Sequence, residues 1–166
     1  FFFQLLKFIP VIGGLTIAIL QFVPESLNQR YRLAFHLPIN EQKLLLYMLF
    51  IGSVAILMIN LLTIGGYACI GSIFFPSEIV KISMVTMVPW FLAGLITYLG
   101  TATVVTEPNW VQRIVFGITT YFCINLLMQE SAYAQYNHIL GYYVAILLLY
   151  SITILFPGHR LRKGAK

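Results

Sequence analysis

Aspartate is absent from this chain, and its five acidic residues are all glutamates: Glu25, Glu41, Glu78, Glu107 and Glu130. Charged residues of either sign make up 9% of the 166 residues, whereas 60% are hydrophobic. A soluble domain carries about 25% charge, so this chain lacks the ionic groups that a water-facing surface of ordinary size needs. The glutamates fall in or beside polar breaks between apolar runs, which respects the cost of roughly 2.5 kcal/mol or more for a charge at the bilayer centre. Cysteine is nearly as scarce. Cys69 and Cys123 sit in apolar surroundings with no C-x-x-C pair, so they read as inert thiols rather than as a metal site or a disulfide framework.

Catalytic signatures are also missing. There is no H-E-x-x-H pair, no G-x-S-x-G elbow and no glycine-rich phosphate loop. His36, His138 and His159 are far apart, with no carboxylate at ligand spacing beside His36 or His159. Glu130 and His138 could form a surface pair, which is ordinary for a loop. The expectation is a chain with no catalytic, cofactor or metal site of its own. No Met or basic segment precedes Phe1-Phe2-Phe3-Gln4, so this start is no signal peptide and reads as lying inside a longer protein.

What remains is apolar sequence in long runs. About 20 predominantly apolar residues make one membrane-crossing helix, and by that measure the chain holds about five spans: 1–23, 44–64, 83–105, 110–128 and 139–156. The fold class is all-α, a polytopic transmembrane helix bundle in a single domain. Between the second and third spans, the segment 65–82 is too short for another span and too apolar for an ordinary loop. It can extend the second helix, lie in the interface or dip back into the membrane, and an interfacial element is the favoured reading. Trp90 and Trp110, with Tyr133, Tyr136, Tyr142 and Tyr143, occupy positions suited to an aromatic belt.

The basic residues set an orientation. If the segment after the first span is cytoplasmic, then Arg30, Arg32, Lys43, Arg113, Arg160, Arg162, Lys163 and Lys166 all face inward. That leaves only Lys7 and Lys81 of the ten outside, a strong positive-inside bias with a cytoplasmic C-terminus. Such end-of-span clustering is not how a nucleic-acid surface is built. Lys7 is placed to snorkel toward the outer interface. Inside the spans, Asn60, Asn125, Thr97, Thr101, Thr119 and Thr120 are among the polar groups. They serve either as hydrogen-bonding links between helices or, for Asn60 and Asn125, as parts of an intramembrane polar path.

The most informative stretch is 24–43. Leu27, Tyr31, Ala34 and Phe35 share one helical face, while Asn28, Arg32 and His36 form a polar, basic stripe on another. Pro38 disfavours helix at Leu37; Asn40 can cap the next helix, with Glu41 in its first turn. Physically this is a short amphipathic helix, a break, and a transmembrane helix. It serves either as an interfacial anchor or as a docking element for a cytoplasmic protein.

Arg32-Leu33-Ala34-Phe35-His36-Leu37-Pro38-Ile39-Asn40 resembles the cytoplasmic signature of permeases in the type-2 ABC exporter family. In that family the pattern after the Pro is more often Ser-Arg than the Ile39-Asn40 found here. The resemblance implies six helices, of which these spans would be the second to sixth, and a coupling segment with Arg30, Arg32, His36, Pro38, Asn40 and Glu41 as its docking residues. It also implies a cytoplasmic ATP-binding-cassette subunit carrying ATP and magnesium, a homo- or heterodimer of permease subunits, and a place in a bacterial inner membrane. The scarcity of fixed charge inside the spans favours an amphiphilic substrate in contact with membrane lipid. The alternative is a non-transporting integral membrane scaffold within a larger complex. An intramembrane enzyme is the weakest class, for want of a placed polar pair.

Overall fold

The computed structural model describes residues 5–27, 41–129 and 140–153. They form five α-helices: α1 (Phe8–Leu27), α2 (Glu41–Phe74), α3 (Ser77–Thr106), α4 (Trp110–Met128) and α5 (Leu140–Thr153). No strand occurs among the described residues. Helices α2, α3 and α4 are long and apolar enough to cross a membrane; α1 and α5, as far as they are described, are shorter apolar helices. The chain is a helical integral membrane protein.

Of the three readings of 65–82, the structure takes the first. Helix α2 runs on through Gly65-Gly66 to Phe74 and α3 begins at Ser77, so there is no separate interfacial or re-entrant piece. In an apolar medium every backbone amide needs an internal partner, and helix continues wherever nothing stops it. Pro76 supplies the stop, because it disfavours helix at Phe75. A bond of 2.8 Å from the Phe75 amide to the Gly71 carbonyl closes α2, and the Pro76 carbonyl opens α3 by accepting from Ile79 at 3.1 Å. At 1.5 Å per residue α2 is about 51 Å long and α3 about 45 Å. Both exceed a hydrocarbon core of about 30 Å, so their joined end must tilt or stand at the membrane surface.

Helix α3 is the axis of the bundle, packing against all four others. From Ala93 to Thr103 every residue except Leu95 and Thr101 is buried, whereas earlier in the helix only Val80, Ser83, Met87 and Pro89 are. Small residues make the crowded half possible. A Cβ on Gly94 would lie 2.8 Å from Pro10, and one on Gly14 would overlap the Gly94 carbonyl oxygen. The backbones of α1 and α3 therefore touch, as small-residue interfaces in membranes allow. On the opposite side, Gly100 leaves room for the Thr120 side chain of α4.

Two apolar clusters flank this axis. One joins Ala18, Phe22, Leu49, Ile56, Tyr98 and Tyr150; the other joins Ala93, Ile96, Cys123, Leu127 and Tyr143. The Tyr150 hydroxyl reaches Thr120 Oγ1 at 3.2 Å, linking α5 to α4. Carrying the Gly100–Thr120 register along the antiparallel pair sets Met128 level with Leu92. The N-terminal half of α3 thus reaches past the end of α4, accompanied by the C-terminal part of α2. Trp90, expected near the start of its span, stands well inside α3, close to that level; Trp110 is exposed at the first position of α4.

Candidate functional site

Of the expected docking residues, Arg30, Arg32, His36, Pro38 and Asn40 lie outside the described residues, as do Glu130, His138 and the tail from residue 154. Glu41 is the first residue of α2. The structure does place the helix ends that bracket this segment. Near them, three helices are tied by one polar knot. Gln21 Nε2 donates to the Met48 carbonyl at 2.6 Å, and the fully buried Tyr98 donates its phenol to Gln21 Oε1 at 2.9 Å. The phenol also lies 3.3 Å from the Met48 carbonyl. A Cβ on Gly52 would sit in the space the Tyr98 hydroxyl takes, and 2.6 Å from Gln21 Oε1. Glycine at 52 is therefore what bares the α2 backbone to both side chains. Phe22 packs on the Tyr98 ring at a centroid distance of 6.1 Å.

The two intramembrane asparagines are not brought together. Asn125 is on the exposed face of α4 and donates to the Tyr121 carbonyl at 3.0 Å, an ordinary satisfied group. Asn60 is different. It is 4% exposed, and among the described residues neither its Oδ1 nor its Nδ2 has a hydrogen-bond partner. Gly52 opposite Tyr98 and Gly71 opposite Val80 fix the α2–α3 register, which sets Asn60 level with Trp90 and Phe91. An unsatisfied buried amide costs about 1–3 kcal/mol. Thr97 donates to Ala93 at 2.7 Å, Thr119 to Val115 at 2.8 Å and Thr120 to Phe116 at 2.7 Å within their own helices, and Thr120 alone of these three also meets another helix, at Tyr150 of α5.

At the C-terminal end of α3, on the same side as the knot, the short Glu107-Pro108-Asn109 connection holds α3 against α4. Asn109 caps α4 by accepting from the Val111 amide at 3.1 Å. Arg113 turns back and donates Nη2 to the carbonyls of Glu107 at 3.1 Å and Val105 at 3.4 Å. A cation at those carbonyls also complements the negative end of the α3 dipole. The guanidinium stands over the Trp110 ring, 5.4 Å from its centroid, and Glu107 is buried in the same corner.

Toward the joined end of α2 and α3, the start of α1 and the C-terminal part of α2 enclose a groove of about 410 Å³. Its walls include Leu6, Ile9, Ile59, Gly66, Ile70 and Phe74. Thr63 and Tyr67 also border it, but the Thr63 hydroxyl is turned to the Ile59 carbonyl at 2.8 Å. Among the described residues no three His, Cys, Asp or Glu side chains gather as a metal site.

Reading the sequence alone passes over Gln21, Tyr98 and the groove. A glutamine near the end of an apolar run carries a signal, since a lone amide at membrane depth needs a partner. Tyr98 and the groove carry none, because both depend on which helices meet. Compared with protein-family models, with curated proteins and with solved structures, the chain shows no significant match to any of them.

Proposed function

We propose that the chain is the membrane-spanning permease subunit of an ABC transporter, exporting an amphiphilic substrate with energy from ATP hydrolysis on a separate cytoplasmic subunit. The observation that carries this reading is the Arg32-to-Asn40 segment, with its resemblance to the coupling signature of type-2 ABC exporters. Its position agrees: it belongs to the connection between α1, which extends to Leu27, and α2, which starts at Glu41.

In this reading the ATP-binding subunit, with its ATP and magnesium, seats Arg30, Arg32, His36, Pro38, Asn40 and Glu41 in a groove. Nucleotide-driven closure then shifts the adjoining ends of α1 and α2. Gln21 and Met48 lie within two turns of those ends, and both are bonded toward Tyr98. The knot gives the movement a direct route into α3, and so to the rest of the bundle. The charge map orients the subunit in a bacterial inner membrane, with the tail from Arg160 to Lys166 in the cytoplasm. A second permease subunit completes the transporter.

The test is copurification from native membranes with the ATP-binding subunit, for the wild-type chain and for Arg32→Ala and His36→Ala. We expect an ATPase in stoichiometric yield with the wild type and at least tenfold less with either variant. An undiminished association in both variants, or no ATPase with the wild type, would overturn the proposal.

A further inference from the structure

We infer that the joined end of α2 and α3 is a hinged arm, bending at Gly65-Gly66 and Pro89, whose tip swings toward the start of α1 and closes the groove between α1 and α2. The arm is a property of this chain alone. It does not rest on the transport reading, in which it would form the gate on the side away from the ATPase.

The first observation is a pair of weak points at one height. Sharp bends in long helices fall at a few kinds of site, proline and glycine pairs among them. Pro89 brings no amide to the Val85 carbonyl, so one rung of the α3 ladder is missing between residues 85 and 89. With Gly52 opposite Tyr98 and Gly71 opposite Val80, Gly65 and Gly66 of α2 come level with Val85 and Thr86. A single weak helix would be splinted by an intact neighbour. Here each leg of the hairpin has its weakest backbone where the other does.

The second observation is that support ends at the same place. Among the described residues α4 stops at Met128, level with Leu92, and the contact of Thr120 with Tyr150 sets Leu140, the start of α5, level with Trp90. Beyond the weak points each leg runs on for about 12 Å. The two legs touch, with Val80 3.4 Å from a Cβ built on Gly71, so the tip moves as one body.

The third observation is room. The groove of about 410 Å³ lies between the α2 leg and Leu6 and Ile9 of α1. A Cβ on Gly65 or Gly66 meets nothing within 4 Å, so no neighbour wedges the pivot. Closing the groove sets apolar walls together and strips water from no free polar group, because the Thr63 hydroxyl is already bonded within its helix. Asn60, at the foot of the arm, is buried with neither amide atom bonded among the described residues. A bend that wets or pairs this amide therefore competes with the arrangement described.

The experiment measures distances between pairs of spin labels on the full chain in nanodiscs. Cys69→Ser removes the exposed thiol and leaves the buried Cys123. Ser77→Cys at the tip is paired with Ile12→Cys on α1, and Ile12→Cys with Leu148→Cys on α5 serves as the reference within the bundle; all three positions are exposed or partly exposed helix sites. We expect the tip-to-α1 distribution to be at least twice as wide as the reference, with a separate short-distance component. Pro89→Ala with Gly65→Ala and Gly66→Ala should narrow it to the reference width. Gly66 lines the groove and Gly65 does not, so Gly66→Trp should remove the short component and Gly65→Trp should keep it. A tip as narrow as the reference would mean a rigid hairpin and would overturn the arm. A wide distribution unchanged by the three alanines would place the motion elsewhere and overturn the hinge. Tryptophan variants that behave alike would overturn closure onto the groove. The wild-type and alanine distributions decide the hinge even where Gly66→Trp fails to fold.

Discussion

The two halves of α3 are both apolar overall and do opposite work. From Ala93 to Thr103 the helix is buried almost all round, with Gly94 against α1, Tyr98 against α2 and Gly100 against α4. From Ser77 to Val88 it buries only Val80, Ser83 and Met87. Ile79, Ile82, Val85 and Val88 are exposed there, alongside Ile70, Ile73 and Phe74 of α2. Pro89 separates the halves, and without an amide hydrogen it cannot continue the backbone ladder toward Val85. Hydrophobicity does not distinguish the halves. Inside lipid it gives helices little reason to associate, so close approach and shared hydrogen bonds decide which half is crowded.

This contrast can be broken most severely at Gly14. An added methyl there meets the Gly94 backbone, which cannot rotate aside. Gly14→Ala should cost about 3 kcal/mol or more, at the upper end of overpacking, seen as loss of monodisperse protein or a large fall in thermal midpoint in detergent. A fall of less than half that size would show that α1 and α3 do not touch as described.

Asn60, where the halves meet, should respond in the opposite direction. Replacing an amide with no partner by a side chain of similar size removes a desolvation penalty, so Asn60→Leu should stabilise by about 1–3 kcal/mol. A lower midpoint would reveal a hydrogen-bonded ligand or water on Asn60. Tyr98→Phe keeps the ring and loses the link to Gln21; it should destabilise by about 0.6–1.7 kcal/mol, the range for polar links between membrane helices. A double-mutant cycle with Gln21→Leu should show the two effects to be non-additive. The smallest change belongs to the open half. Gly65→Ala meets nothing and should raise stability by no more than about 1 kcal/mol through helix propensity; a loss would mean that the face carrying Gly65 is packed.

The same contrast explains what could be read from the chain. Helix α4 covers the run expected at about 110–128, with Asn109 capping its start and Gln129 following its end. The end of α2 was less legible. Gly65-Gly66 looks like punctuation in water, yet in an apolar medium the helix passes through it and stops only at Pro76. Asn60 and Asn125 are equivalent polar interruptions in sequence, and only the packing makes one buried and the other exposed. The groove was invisible for the same reason, since Leu6 and Ile70 become neighbours only through the pairing of α1 with α2. The charge pattern around Arg32 and His36 was legible as chemistry, and it lies outside the described residues.

The Arg113 corner has a consequence for how the protein is made. Its bonds to Glu107 and Val105 cross only six and eight residues of chain, so they become available as soon as the first turn of α4 exists. Chains fold from the N-terminus as they are synthesised, at about 5–20 residues per second. Helices α3 and α4 would accordingly enter the bilayer as one preassembled hairpin, seconds before the last helix is complete. Helix α5 then arrives at a surface already in place, where Thr120 and Leu99 await Tyr150. The order of residues along the chain is in this way also the order of assembly.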